Sequence, residues 1–300
     1  MFALGAVVRL LGVLFVTGFM GAAMTGCAKP PKQTELMAQA VVPVQNFAAT
    51  AYLPASVRLG QVPPQRAFAA TSLSGRTLAV ATTTDIILNP GEVVITFDDG
   101  PRPGKTPAIL DTLDQFGVKA TFLMLGTSAQ AYPEIAQLVA ERGHSVGSHT
   151  YDHVDLTTLS RQAAFEEIAR GEQAVADALM GSGVGVAPFF RFPYLAQDGY
   201  LRAGLLGGDM VVLDVDIDSK DYYKDTPQIV AQRTLDRLEA RGSGVILFHD
   251  IHQRTVDMLP EFLEEIANRG YSVVHLVPQR PGLFGRPVIT ANVADDADQV

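Results

Sequence analysis

One cysteine in 300 residues excludes an internal disulfide, so burial and hydrogen bonding must hold this chain together. Basic residues are scarce too: 23 Lys and Arg stand against 32 Asp and Glu, for a formal charge of -9. That balance leaves no basic stripe for nucleic acid, and an anionic membrane surface repels a folded body so charged. Uncharged or amine-bearing substrates suit it better. Internal repeats are also missing. What is plentiful is apolar, 47% of residues against 18% charged, which is enough for one sizeable core or two small ones.

The lone cysteine is informative by its place. Residues 1–26 carry a single charge, Arg9, followed by the apolar run 10–23 and then Met24-Thr25-Gly26-Cys27. A basic residue, an apolar stretch and small residues in that order are the layout of a secretory signal. The segment also resembles a bacterial lipoprotein signal, in which Cys27 becomes the lipidated N-terminus and membrane anchor. Met24 and the late position of Arg9 depart from that pattern, and an uncleaved anchor over 10–28 is the rival reading. Either way the domain is exported and tethered, and Ala28 after the cysteine favours the outer membrane of a two-membrane cell.

The organisation expected is a signal at 1–26, a lipid-anchored N-terminus and linker at 27–91, a main domain at 92–278 and an acidic tail at 279–300. The linker is punctuated by Pro30-Pro31 and Pro63-Pro64, with short strands expected at 77–81 and 85–88. From Glu92 onward, apolar runs at 93–97, 120–125, 145–148, 189–192, 210–215, 245–248 and 272–276 alternate with helical periods such as Ile109, Leu113 and Phe116. Thr106 and Thr226 each precede a proline and read as helix caps. About seven strand-helix units predict a parallel α/β fold, an open sheet or an incomplete barrel. Chemistry-bearing residues at or beyond the ends of several different strands favour the barrel, whose loops converge on one site.

Those residues begin at Val94-Ile95-Thr96-Phe97-Asp98-Asp99-Gly100-Pro101, an apolar run broken by two carboxylates. Neighbouring strand residues point to opposite sides, so the two acids take different tasks unless the backbone turns. Metal-assisted hydrolysis uses such a pair, one carboxylate as ligand and one as general base; a solvated Asp-Gly turn is the bland alternative. His149 and His153, four apart, fall on one side of a helical turn and with Asp99 offer two nitrogens and an oxygen, a catalytic zinc set with one position open. Two histidines so spaced on a surface are the competing reading.

Five segments, Thr96-Phe97-Asp98-Asp99-Gly100, Ser148-His149-Thr150-Tyr151-Asp152-His153, Arg191-Phe192-Pro193-Tyr194, Asp218-Ser219-Lys220-Asp221-Tyr222 and Leu247-Phe248-His249-Asp250, resemble the ordered motifs of the polysaccharide deacetylase family, the NodB-homology domain of carbohydrate esterase family 4. The resemblance covers roughly 92–278. It implies a distorted (β/α)7 barrel, a divalent metal on Asp99, His149 and His153, and Asp98 as general base. It further implies His249 as the acid that protonates the leaving amine, the backbone N–H of Tyr194 as an oxyanion donor, Arg191 as the partner of Asp98, and Asp221 as the group that keeps His249 protonated.

The fourth motif departs from the family. It ordinarily places tryptophan after its acid, the chain has none, and Tyr222 stands there as an expected pocket wall. Asp214 and Asp216, with Asp218 on the same face of an expected strand, have no assigned task, and His144, His252 and His275 read as structural. The expected activity is metal-dependent N-deacetylation of amino sugars in an extracytoplasmic polysaccharide: peptidoglycan, a glucosamine polymer or a chitin-like chain. Zinc is the expected ion, with cobalt or nickel on the same ligands. The competing readings are an O-acetyl esterase or non-sugar amidohydrolase on the same fold, and a non-catalytic glycan-binding envelope protein.

Overall fold

The computed structural model describes residues 72–279. Cys27, the expected signal and most of the linker and tail lie outside these residues. In chain order the elements are β1 (Ser74–Val80), β2 (Glu92–Asp98), α1 (Thr106–Gln115), β3 (Thr121–Met124), α2 (Gly126–Ala131), α3 (Pro133–Glu141), β4 (Ser145–Ser148) and α4 (Arg161–Ala178). There follow β5 (Phe189–Phe190), α5 (Gly199–Gly207), β6 (Val211–Val212), β7 (Ile217–Asp218), α6 (Pro227–Arg241), β8 (Gly244–His249), α7 (Gln253–Asn268) and β9 (Ser272–Pro278). Every strand pairing is parallel. Among the described residues no helix is long and apolar enough to cross a membrane.

Seven strands, β2 through β8, make a nearly closed barrel. Pairings run β7-β8-β2-β3-β4-β5-β6, and none among the described residues joins β6 to β7. β8 occupies one edge of β2 along Val93–Asp98. The other edge meets β9 at Glu92 and Val93 and is taken by β3 from Thr96 onward. β1 then adds outside β9. The expected strand at 77–81 is thus part of β1 up to Val80, whereas 85–88 is no strand. There the Asp85 carboxylate accepts the Ala81 and Thr82 N–H groups and closes a 3-10 turn instead. The expected strand 210–215 is also cut short: only Val211–Val212 pair with β5, and the chain re-enters the barrel as β7.

Period-2 alternation sorts the two faces of the barrel. On β2, Val93, Ile95 and Phe97 pack outward with the helices, while Val94 belongs to the interior cluster with Leu123, Phe189, Val211, Leu213 and Val245. Phe97 stacks 5.0 Å from Phe122 and 5.9 Å from Phe248, and Phe248 meets Phe262 edge-on at 5.4 Å. Fully burying one such side chain contributes about 1.5–3 kcal/mol. The inward register matters most for function. Continuing it by twos places Asp98 after Val94 and Thr96, Arg191 after Phe189, and His249 after Val245 and Leu247, all facing the interior at the carboxyl ends of their strands.

Helix starts differ in chemistry. The Thr226 hydroxyl accepts the Ile229 N–H at 3.4 Å and caps α6 as expected. Thr106 does not cap α1. Its hydroxyl oxygen instead accepts the Arg102 N–H, while its proton goes to the buried Asp250 carboxylate at 2.5 Å.

Candidate active site

Asp98 ends β2 almost fully buried, 1% exposed, against an equally buried Arg191. One guanidinium nitrogen of Arg191 donates to the Asp98 carboxylate at 2.8 Å and to the Thr96 hydroxyl at 2.8 Å, while Nε donates to the Leu213 carbonyl at 3.0 Å. The Thr96 hydroxyl in turn donates to the Ile246 carbonyl at 2.7 Å. A buried arginine so engaged is held in one orientation, and so is its carboxylate.

The next residue breaks the strand rule. Asp99 takes φ 77, a left-handed conformation in which the chain turns, so its carboxylate enters the same cavity as that of Asp98. Its Oδ1 lies 3.6 Å from Nε2 of His149 and 3.5 Å from Nε2 of His153. Donor atoms of these three residues all lie within 4.8 Å of one another. His149 Nδ1 is 2.7 Å from the Arg191 carbonyl, which can only accept, so Nδ1 carries a proton and Nε2 is the ring nitrogen turned toward Asp99. Burial and the neighbouring His149 lower His153 from its ordinary value, which favours the neutral form of that imidazole.

These features fit a divalent cation. Asp99 Oδ1 is buried and has no hydrogen-bond partner, a cost that an ion at this point removes. Two imidazole nitrogens and a carboxylate oxygen form a three-ligand set of the kind that leaves a position open for water. The His149–His153 spacing works for a reason other than the expected one. Residues 149–153 are not a helical turn but a loop with Thr150 at φ 70 and His153 at φ 58. The reversal of the loop, not a helical period, brings the two rings to a centroid distance of 5.0 Å.

Across the cavity, His249 closes β8. Its Nδ1 is 2.6 Å from Asp221 Oδ1, and its own N–H donates to Asp221 Oδ2 at 2.7 Å. The Thr255 hydroxyl completes the set at 2.6 Å. Burial by itself lowers His249, but the hydrogen bond and charge of Asp221, with Asp99 and Asp98 behind them, push it up to about 9. Burial likewise opposes the charge of Asp221, yet its bonds to His249 and Thr255 hold it below the ordinary carboxylate value. At neutral pH the pair is an imidazolium held beside a carboxylate.

The cavity has a volume of about 350 Å³. Asp98, Asp99, His149, His153, Tyr194, Tyr222 and His249 line it together; Arg191 and Asp221 stand behind that lining. Tyr194 takes φ 58 in the 3-10 turn Pro193–Leu195 and sets its ring edge-on to His153 at 4.5 Å. The Tyr222 ring stands edge-on to His249 at 5.6 Å and its hydroxyl donates to Asp218 at 3.0 Å. Burial, then Asp218, push the Tyr222 phenol up to about 12.

Sequence reasoning missed Asp218, Phe192, Leu195 and Leu247 as lining residues. The inward register of β7 and β8 is the signal that finds Asp218 and Leu247. It also missed Asp250, whose carboxyl lies so close to Gly100 that a Cβ there would come within 2.0 Å of it. Burial pushes Asp250 up to about 7 against the Thr106 hydrogen bond, and the Asp99 charge adds to the rise. Asp214 and Asp216 form no cation site with Asp218. Arg202 holds Asp214 at 2.6 Å, and Arg241 and the Val245 N–H hold Asp216. His144 accepts the Ala120 N–H, His275 meets Ser145 at 3.2 Å, and His252 sits 5.8 Å from the His249 ring without lining the cavity.

A parallel barrel that gathers a three-ligand Asp-His-His group, a buried Asp-Arg pair and a His-Asp pair at one end belongs to the barrels built for acid-base work on a small group. Comparison with known proteins narrows that class. The family model described as polysaccharide deacetylase matches residues 87–207. A chitin deacetylase of Colletotrichum lindemuthianum is 33% identical over 68% of this chain and 86% of its own length. The peptidoglycan-N-acetylglucosamine deacetylase PgdA of Listeria monocytogenes is 30% identical over 74% of this chain, which spans only 41% of that protein. A solved peptidoglycan deacetylase of Bdellovibrio bacteriovorus superposes with a TM-score of 0.60 at 36% identity, covering 72% of this chain and 61% of that one. The chain belongs to the polysaccharide deacetylase family.

Proposed function

We propose that this protein hydrolyses the N-acetyl groups of amino sugars in an extracytoplasmic polysaccharide, with peptidoglycan the first candidate and chitin-like or glucosamine polymers behind it. The observation that carries the reading is the convergence, on one cavity, of a carboxylate held by arginine, an orphaned carboxylate oxygen between two imidazoles, and a histidine paired with a buried carboxylate. Asp99, His149 and His153 would hold a divalent ion, zinc in the first instance with cobalt or nickel as alternatives on the same ligands, and that ion would supply Lewis-acid polarisation of the acetamide carbonyl and of a water.

The rest is done by the chain itself. Asp98, fixed by Arg191, accepts the proton of the attacking water. The Tyr194 N–H donates to the oxygen that gains charge as the carbonyl is attacked. His249 gives its proton to the departing nitrogen, and Asp221 stabilises the imidazolium until it does so. Tyr222 walls the cavity beside His249 and offers a ring face to the sugar. Related proteins named for peptidoglycan and chitin support the substrate class. Export and lipid attachment at Cys27 are part of the same proposal and rest on the sequence of the first 28 residues.

Acetate release by the full-length protein, measured on peptidoglycan and on N-acetylglucosamine oligomers with and without chelator, tests this directly. Chelator-sensitive release from an amide-linked polymer is the expected result. Release only from O-acetyl esters contradicts it.

A further inference from the structure

The loop that carries His153 is gripped from two sides, and one of the grips is a carboxylate with no assigned role. Glu167 lies in α4, fourteen residues beyond His153 in sequence. A single oxygen, Oε1, accepts the N–H of Tyr151 at 3.0 Å and the N–H of Asp152 at 2.6 Å. On the opposite side, the start of α2 takes the loop carbonyls: Gly126 N–H donates to Thr150 and Thr127 N–H to Tyr151, at 2.9 and 3.0 Å. Between the grips α4 comes so close that a Cβ on Gly171 would lie 2.3 Å from the carbonyl carbon of Thr150.

We propose that Glu167 is a positioning residue for the metal site, which rests on the reading of Asp99, His149 and His153 as ligands. Thr150 and His153 hold left-handed conformations that non-glycine residues avoid, and such conformations persist only where the surroundings over-determine them. Two consecutive N–H groups facing one carboxylate oxygen supply that constraint. Without Glu167 the N–H groups of Tyr151 and Asp152 are left to find other partners, and residues 150–153 relax toward ordinary backbone angles. His153 then swings away from Asp99, while His149, held by the Arg191 carbonyl and by β4, stays. The carboxylate touches neither ion nor substrate; it sets where one ligand stands.

The test is competition for zinc between the metal-free full-length protein and a chromophoric chelator, for wild type, Glu167→Ala, Glu167→Gln and Glu167→Asp, with thermal unfolding of each metal-free form. Wild type is expected to bind. Glu167→Ala should raise the zinc dissociation constant by about 10–100-fold, the usual consequence of losing a group that orients a ligand. Glu167→Gln, whose amide oxygen still accepts both N–H groups, should recover most of that loss. Should Glu167→Ala fail to fold, Glu167→Asp answers the same question, because its shorter arm draws the oxygen back from the loop. Equal zinc affinity in wild type and the folded Ala or Asp variant overturns the proposal, as does a Gln variant no better than Ala. A folded wild type that binds no zinc, cobalt or nickel brings down the metal reading itself and the positioning role with it.

Discussion

Replacing Asp221 with asparagine removes one negative charge at nearly constant volume and so isolates what that carboxylate does for His249. Asp221 is fully buried and receives the His249 ring, the His249 N–H and the Thr255 hydroxyl. Burial lowers His249, and the Asp221 hydrogen bond and charge overcome it, for a value of about 9. With the carboxylate gone, burial meets only the more distant Asp99 and Asp98, so the imidazole should titrate at or below its ordinary 6.5. At about pH 8 a group with a pKa of ~9 is roughly 90% protonated and one with a pKa of ~6 roughly 1%, so in the metal-free protein the imidazolium population should fall about 100-fold, and acid catalysis by the loaded enzyme should fall by up to that factor.

The first assay is NMR titration of His249 in the metal-free full-length protein, and the second is kcat against pH. In the metal-loaded enzyme the alkaline limb should fall below the metal-free value, because a cation at Asp99 opposes the negative charge that raises His249. Stability follows with a definite sign. The folded value lies above the unfolded 6.5, so the contribution of His249 is full below about 6.5 and is lost as pH rises through about 9. The asparagine variant loses it, and its amide nitrogen also faces groups that Asp221 accepts from, a penalty of about 1–3 kcal/mol. If His249 titrates at the same pH in both proteins, the reasoning is refuted.

Arg191→Met leaves the buried Asp98 carboxylate without its cation; urea unfolding should show a loss of about 3–5 kcal/mol. Chelation should lower the melting temperature, and zinc at about 1,000 times its dissociation constant should restore about 4 kcal/mol; scanning calorimetry reads both changes. Tyr222→Phe removes the bond to Asp218 while keeping the ring beside His249. Its stability should stay within about 0.5 kcal/mol of wild type, and steady-state kinetics should show a larger change in KM than in kcat.

The catalytic end of the barrel was legible in the sequence because its residues sit at strand ends, where an apolar run stops at a charge. β2 and β8 announce themselves that way, and their inward register then places Asp98 and His249 without further information. The His149–His153 spacing led to the right juxtaposition through the wrong geometry. A helical turn and this left-handed loop both bring the fifth residue back toward the first, and sequence spacing does not tell them apart. The acidic series Asp214, Asp216 and Asp218 was illegible for a different reason. Its partners Arg202 and Arg241 lie 12 and 25 residues away and reach the acids only after α5 and α6 have packed. Glu167 escaped notice likewise, since nothing in the sequence of an amphipathic helix marks a half-buried carboxylate that meets a loop fifteen residues earlier. The barrel opening between β6 and β7 reflects strands of two residues each, too short for any periodicity to show.

Acetate released from peptidoglycan and from N-acetylglucosamine oligomers by zinc-loaded wild type and by Asp98→Asn, with bound metal quantified in both, tests the central claim most directly. The account predicts release by the wild type, loss of it in a folded variant that still binds about one metal ion, and loss of it in the wild type on chelation. Equal release by the two proteins, or release by wild type that chelator leaves untouched, would contradict it.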